Sequence, residues 1–103
     1  MSQWVKVGPL ADLGEDDVKR FDLGERTFAI YRAGGQVYAT DGLCTHEQIH
    51  LCDGLVMDNV IECPMHNGRF DIRNGRALRA PAQVDLKTYP AKVEDGSIFI
   101  ELD

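Results

Sequence analysis

The sequence predicts an all-β domain, a small antiparallel sandwich or barrel, and two observations on its 103 residues support this. First, the runs between turns are short and rich in β-branched and aromatic residues, as strands are. Second, turn-forming pairs recur along the chain, and short strands joined by tight turns close into sandwiches or barrels. These pairs are Gly34-Gly35, Asp53-Gly54, Asp58-Asn59, Asn74-Gly75 and Asp95-Gly96.

The predicted strands follow one another along the chain, separated by these turns. They are Trp4–Val7, Thr27–Arg32, Gln36–Thr40, Leu55–Met57, Val60–Glu62, Arg69–Ile72, Leu86–Val93 and Ser97–Leu102. Two connections predict β-hairpins: a Gly-Gly pair joins the second strand to the third, and an Asp-Gly pair joins the last two. Only the segment Asp16–Phe21 has a pattern that predicts a short helical turn.

Composition and charge narrow the class of protein. The length allows one domain with one modest core, and 44% hydrophobic with 27% charged residues is typical of a folded domain. The formal net charge of −6 argues against a nucleic-acid surface, which requires net basic charge. No run approaches the roughly 18 apolar residues of a membrane helix. The N-terminal stretch MSQWVKVGPL lacks a basic leader, so we expect a cytoplasmic protein.

Residues 41–83 contain all three His and all three Cys of the chain. Two short pairs stand out: Cys44-x-His46 and, 16 residues later, Cys63-x-x-His66. In a reducing cytosol, Cys and His at short spacing bind metal more often than they form disulfides. Each pair offers one thiolate and one imidazole, so two loops of this kind would build a site with two sulfur and two nitrogen ligands.

Two zinc sites share some of these letters. The stretch HEQIH, residues 46–50, matches the H-E-x-x-H pattern of zinc proteases. It is bounded by Gly42 and by Asp53-Gly54 rather than by helical sequence, so we assign no catalytic role to Glu47 or His50. A structural Cys₂His₂ zinc site stays open, although zinc fingers pair Cys with Cys and His with His, whereas each pair here mixes the two types.

The pattern C-x-H…C-P-x-H, continuing into Gly68-Arg69-Phe70-Asp71, resembles the Rieske [2Fe–2S] signature, in which two His replace two Cys on one iron. The resemblance covers nearly the whole chain, including its ending LKTYPAKVEDGSIFIEL. It is strongest to the small Rieske ferredoxins of multicomponent aromatic-ring dioxygenases. It implies one [2Fe–2S] cluster, with Cys44 and Cys63 on the inner iron and His46 and His66 on the outer iron.

The resemblance also implies a domain organisation and a function. Residues 1–103 would form a single Rieske domain, with a cluster-binding subdomain of loops and short strands at about 41–83 inserted into a β base of 1–40 and 84–103. Pro81 would lie in a loop that shields the cluster. The implied protein is a monomeric electron carrier rather than an enzyme. It takes electrons from a flavin-containing reductase and passes them to a terminal Rieske oxygenase, without nucleic-acid or membrane partners.

Two alternative functions stay open at this stage. The small subunit of an assimilatory nitrite reductase can share this fold, although such subunits often lack the full set of cluster ligands. A structural zinc-binding interaction module is the alternative from a different class of protein. Colour separates the zinc module from a Rieske protein, because the iron–sulfur protein is red-brown and a zinc protein is colourless.

Departures from the high-potential Rieske proteins predict a low reduction potential. Those proteins have an extra Cys in each ligand loop, and the two form a disulfide; here Ile49 and Met65 stand at those positions and Cys52 has no such partner. They also place Ser and Tyr hydroxyls near the cluster sulfurs, where this chain has Gly68 and Phe70. Fewer hydrogen bonds to sulfur stabilise the reduced state less.

Charge around the two Cys-His pairs is uneven. Residues 41–62 have acidic side chains and no Lys or Arg, whereas residues 69–79 are rich in Arg. The acidic residues are Asp41, Glu47, Asp53, Asp58 and Glu62, and the basic ones are Arg69, Arg73, Arg76 and Arg79. Two interpretations stay open: the two loops neutralise each other, or together they form a polar docking face.

Overall fold

The computed structural model describes residues 2–45, 48–65, 67–80 and 82–103. Within these ranges the chain is built from strands and two short 3₁₀ turns, Leu10–Asp12 and Leu51–Asp53, which confirms the all-β prediction. No helix in these ranges is long and apolar enough to cross a membrane. The strands are β1 (Gln3–Pro9), β2 (Asp17–Leu23), β3 (Arg26–Ala33), β4 (Gln36–Asp41), β5 (Leu55–Met57), β6 (Val60–Glu62), β7 (Arg69–Asp71), β8 (Ala77–Arg79), β9 (Thr88–Tyr89), β10 (Ala91–Glu94) and β11 (Ser97–Leu102).

The strands pair antiparallel in three sheets. Three strands form one sheet in the order β1-β11-β10, and four form a second in the order β2-β3-β4-β9. The remaining four form a third in the order β5-β6-β7-β8, which we call the 55–79 sheet. This third sheet lies wholly between the two sequence segments that build the other sheets.

Strand β3 is shared by two cores because both of its faces are buried. Side chains alternate between the faces of a strand. Phe28 and Ile30 therefore pack into a core with β11, on one side. Ala29 and Tyr31 pack into a second core, on the other side, which contains the inner face of the 55–79 sheet and the cysteines of both Cys-His pairs. The second sheet therefore packs, through one face of β3, against the core that contains both cysteines.

The two predicted hairpins are confirmed. Gly34 and Gly35 join β3 to β4 with φ angles of 59° and 77°, and Asp95 and Gly96 join β10 to β11 with φ angles of 51° and 77°. Both central residues of each turn are left-handed, as type I′ turns require. Such turns match the twist of the flanking strands, so the dipeptides fix the strand register locally.

The helical turn expected at Asp16–Phe21 is wrong. Residues 17–23 form β2, an edge strand whose pairing with β3 runs from Asp17↔Arg32 to Leu23↔Arg26. Charged side chains along it, such as those of Arg20 and Asp22, suit an edge strand, where they discourage pairing with another chain. Tertiary pairing therefore overrides the local sequence preference here.

Two further differences occur in the C-terminal half. The single strand predicted for Leu86–Val93 divides into β9 and β10 at Pro90, because proline has no N–H for a ladder hydrogen bond. Strand β8, Ala77–Arg79, was not predicted, because Ala, Leu and Arg in three successive positions have little β preference. It exists by pairing with β7.

Candidate metal centre

Two loops with a common closing hydrogen bond carry the cysteines of the Cys-His pairs. In the first Cys loop, residues 44–49, the Cys44 N–H donates to the Ile49 carbonyl at 2.9 Å. In the second Cys loop, residues 63–68, the Cys63 N–H donates to the Gly68 carbonyl at 2.7 Å. Each cysteine therefore bonds to the residue five positions later, although the two loop sequences differ. This shared closure matches the mirrored spacing seen in the sequence.

Both cysteine side chains are buried in the same core. Cys44 is 4% exposed and Cys63 is 0% exposed, and both belong to the core that contains Tyr31, Ile61 and Phe70. A thiolate in such surroundings is unfavourable unless a metal or a cation compensates its charge. The structure brings these two predicted ligands together, whereas the other two, His46 and His66, lie outside the described residues.

The first Cys loop is fixed at its base by backbone contacts around Gly42. The Gly42 N–H donates to the Thr27 carbonyl at 3.0 Å, and the Gly42 carbonyl accepts from Leu51 N–H at 2.9 Å. A Cβ at Gly42 would lie 3.0 Å from the backbone nitrogen of Phe28. A side chain at position 42 would press on the backbone of β3, so glycine suits this close approach and the loop starts from a defined position.

Asp41, at the end of β4, adds a second anchor. Its carboxylate accepts a hydrogen bond from the Tyr89 hydroxyl, which in turn accepts one from Arg26 Nη2 at 3.1 Å. Burial, together with the Asp41 carboxylate, raises the pKa of Tyr89 to about 12. Tyr89 therefore stays a hydroxyl donor at neutral pH, and it joins β9 to the start of the first Cys loop.

A third segment, residues 82–84, lies beside the first Cys loop. Thr45 Oγ1 donates to the Val84 carbonyl at 2.6 Å, and the Ala82 N–H donates to the Arg79 carbonyl at 3.1 Å. Pro81, expected to shield the cluster, lies outside the described residues, whereas its neighbour Ala82 is buried. Nothing in the local sequence indicated the Thr45 contact, because its partner is 39 residues away.

Gly54 lies where the backbones next to the two Cys loops meet. From the sequence, Asp53-Gly54 was predicted only to form a turn. The Gly54 N–H donates at 2.9 Å to the carbonyl of Leu51, in the 3₁₀ turn that follows the first Cys loop. A Cβ at Gly54 would lie 2.2 Å from the carbonyl oxygen of Glu62, the residue before Cys63. Only glycine fits there, and it lets the backbone that follows the first Cys loop lie against the backbone that precedes the second.

Charges near the site are partly neutralised within the chain. Arg69 Nε lies 2.8 Å from Glu62 Oε2, and Arg73 forms two side-chain hydrogen bonds to Asp71, at 3.0 and 2.9 Å. The hydrogen bond from Arg73 holds the pKa of Asp71 below its usual value. The acidic and basic segments therefore pair through Glu62 and Arg69, while Asp53 remains exposed.

Cys52 is set apart from the other two cysteines. It is a half-buried thiol in the 3₁₀ turn Leu51–Asp53, outside the core that contains Cys44 and Cys63, and it forms no disulfide. Burial raises the pKa of its thiol. That Cys52 has no ligand role stays a prediction, which the Cys52→Ser variant tests.

Comparisons with known proteins agree with this arrangement. A model of the Rieske [2Fe-2S] domain matches residues 3–90. The chain is 41% identical over 100 residues to the ferredoxin component of the naphthalene 1,2-dioxygenase system of Pseudomonas putida, covering 97% of this chain and 96% of that protein. It is 45% identical over 100 residues to the ferredoxin component of the 2,4-dinitrotoluene dioxygenase system of Burkholderia sp. (strain RASC), with the same coverage.

A solved structure extends the likeness to three dimensions. It is the complex of reduced oxygenase and oxidized ferredoxin in carbazole 1,9a-dioxygenase, and one of its chains superposes with a TM-score of 0.88 at 34% identity. The match covers 94% of this chain and 91% of that chain.

The donor set fits the cofactor of this family. Two thiolates and two imidazoles are the protein ligands of a Rieske cluster, and the structure places Cys44 and Cys63 in one apolar core on loops of matching closure. The chain therefore belongs to the Rieske [2Fe–2S] domain family, and its cofactor is one Rieske-type [2Fe–2S] cluster.

Proposed function

We propose that this chain is a one-electron carrier that takes electrons from a flavin-containing reductase and passes them to a terminal Rieske oxygenase in the oxidation of an aromatic compound. The observation that carries the proposal is the full-length likeness to ferredoxin components of dioxygenase systems. When bound, the cluster accepts and releases one electron at a time. The chain is accordingly an electron-transfer component and not the enzyme that oxidises the substrate.

The proposal assigns Cys44, His46, Cys63 and His66 as the cluster ligands. The common core of the two cysteines and the matching closure of their loops support the assignment. Two ferric ions, two sulfides and two thiolates sum to zero charge, and neutral imidazoles leave this sum unchanged. A neutral centre accepts an electron more easily than an all-cysteine cluster, so its potential is higher.

The proposal also includes the organisation and setting of the protein. A cluster-binding subdomain at about 41–83 on a base of 1–40 and 84–103 is supported by the position of the 55–79 sheet, which lies within the subdomain. We further propose a monomer in the cytoplasm. A single sedimentation boundary at the mass of one chain would test the monomer.

Metal and sulfide analysis tests the cofactor and the electron-carrier function together. We expect iron and acid-labile sulfide to approach about two per chain each, and the reduced protein to give a rhombic Rieske-type electron paramagnetic resonance signal. Mixed with a reductase and an oxygenase of an aromatic dioxygenase system, the protein should support substrate oxidation. Stoichiometric zinc without sulfide would replace this function with a structural zinc module.

The reduction potential should be at the low end of the Rieske range, around −150 mV in order of magnitude. Ile49 and Met65 occupy the positions of the loop-bridging disulfide of high-potential relatives, and Phe70 is a buried hydrocarbon ring. The hydroxyl of Tyr31, in the same core, is already hydrogen-bonded to Thr40 Oγ1, at 2.8 Å. Protein-film voltammetry measures the potential, and a midpoint well above zero would contradict this expectation.

Docking to each redox partner should be small and transient, below about 1,200 Å² of buried surface in total. Charge reversal at Asp53, which is exposed, and at Glu47, outside the described residues, should slow electron delivery at low salt. The effect should fade as the Debye length falls from about 30 Å at 0.01 M to about 8 Å at 0.15 M.

Stopped-flow rates at several salt concentrations test this steering. The matched control is Asp12→Lys, an exposed acid beside the core that contains neither Cys44 nor Cys63. The visible spectrum should be the same in all these variants. Rates that ignore both salt and the two charges would mean that docking depends on apolar contacts instead.

A further inference from the structure

One row of side chains crosses the 55–79 sheet at the end where the second Cys loop begins. Direct cross-strand pairs connect Leu55 to Glu62, Glu62 to Arg69, and Arg69 to Arg79. Residues directly opposite each other project from the same face of a sheet. With strands about 4.8 Å apart, the row spans about 14 Å from β5 to β8. The second Cys loop joins Glu62 to Arg69, so the row borders the candidate site.

Charge changes sign along this row. Asp53, two residues before Leu55, is exposed and negative, and Leu55 is neutral. Glu62 and Arg69 pair in the middle of the row, at 2.8 Å. Arg79 is the register partner of Arg69, next to an irregularity in the β7–β8 pairing, and among the described residues it takes part in no ion pair. Arg79 therefore adds a positive charge at the β8 end that no ion pair in the described ranges neutralises, although like charges opposite each other cost stability.

Protection of the sheet edge does not explain this excess. Strand β8 is at the edge of the sheet, where charged side chains often prevent pairing with another chain. Here hydrogen-bonding groups of the strand are already taken, because the Ala77 N–H donates to Asp85 Oδ1 at 2.9 Å and the Arg79 carbonyl accepts from the Ala82 N–H at 3.1 Å. The arginines are thus available for another role.

The surroundings of Arg79 are those of a contact surface. Arg76, just before β8, and Arg79, its last residue, are both exposed, and Leu78 between them is 52% exposed. The Arg79 carbonyl accepts from Ala82, whose segment lies beside the first Cys loop. An apolar side chain flanked by two cations, next to the candidate site, suits a transient contact with a protein surface that presents carboxylates.

We propose that Arg76 and Arg79 form a docking edge for carboxylates of a redox partner, and that the charge gradient from Asp53 to Arg79 sets how that partner is rotated over the site. The inference rests on the proposed electron-carrier function and adds the chemistry of the partner surface. Net charge alone attracts a basic partner from any direction, whereas a gradient selects one orientation. The partner surface would present acidic residues over β8 and basic residues over the turn at Asp53.

Arg79→Glu in the full-length protein with its cluster is the principal test. The cluster-loaded protein is reduced by the reductase and oxidised by the oxygenase in separate stopped-flow experiments, at low and at high salt. At low salt, at least one of these two reactions should slow by about three- to tenfold, and the difference should shrink as salt rises. Arg76→Glu should act in the same direction, which covers the case that Arg79→Glu folds poorly.

Lys6→Glu is the matched control, because it exchanges the same charge on an exposed residue of β1, in another sheet. It changes the net charge from −6 to −8, as Arg79→Glu does, since each replaces one positive charge by one negative charge. The double variant Glu62→Arg/Arg69→Glu keeps the net charge and the ion pair but reverses the gradient in the middle of the row. It should slow the same reaction that Arg79→Glu slows.

The outcomes separate this proposal from the proposed function. Equal rates for the Lys6 and Arg79 variants would overturn the docking edge and leave steering by net charge. Wild-type protein that exchanges electrons with neither partner would instead refute the electron-carrier function. Unchanged visible spectra and thermal midpoints in the charge variants would show that slower transfer reflects docking and not damage to the site.

Discussion

Cys63→Ser protein should purify without the visible absorption bands of an iron–sulfur cluster. Cys63 is fully buried in the core that also contains Cys44, and Cys52, the one cysteine without a proposed ligand role, lies outside that core. A serine hydroxyl is a poor ligand for a cluster that takes thiolates, and the loss should be close to complete. Absorption spectra and iron content measure the result, and Cys44→Ser should behave in the same way.

Cys52→Ser is the matched control, since it makes the same substitution on the third cysteine. Cys52 lies in a 3₁₀ turn outside the core of the other two, so the variant should keep the visible spectrum and the iron content of the wild-type protein. If the Cys52 and Cys63 variants lost their absorption equally, the ligand assignment would be wrong.

Gly54→Ala should lower the stability of the protein and shorten the lifetime of its cluster. The new methyl group would lie 2.2 Å from the Glu62 carbonyl oxygen, and because that oxygen is backbone, one of the two chain segments must move. Forced overpacking of this kind costs about 1–3 kcal/mol. For a domain of this size each kcal/mol lowers the thermal midpoint by about 4–8 °C.

Gly14→Ala is the control for this substitution. A Cβ at Gly14 meets no atom within 4 Å, so the change should leave the thermal midpoint nearly unaltered. Circular dichroism follows unfolding, and bleaching of the visible bands follows cluster loss. Gly54→Ala protein with the stability and bleaching rate of the Gly14 variant would show that the two loop bases are not held together at this contact.

Several parts of the fold were predictable because their signals are local. Strands β5, β6 and β11 have the predicted limits, since turn dipeptides bound each of them and their residues favour strands. Strands β2 and β8 were not predicted as strands, because they depend on partners: β2 on β3, and β8 on β7. The residues of one segment do not show which other segment it pairs with.

The same distinction applies to the candidate site. The Cys-His pairs were visible because each pair lies within four residues, and the structure places both cysteines in one core. The close approach of Gly54 to Glu62 and the hydrogen bond from Thr45 to Val84 were not visible, because each joins distant parts of the chain. Local sequence therefore predicted the ligand set, while the contacts that hold the loops in place required the structure.

The alternation of β3 between two cores bears on how the protein is assembled in the cell. The core around Phe28, Ile30 and β11 contains neither Cys44 nor Cys63, so we expect it to form without iron. The opposite face of the same strand packs in the core that contains Cys44 and Cys63, the first residues of the two Cys loops. We therefore expect newly made chain to form the core around Phe28 and Ile30 before it binds its cluster, and protein that has lost its iron to retain this core.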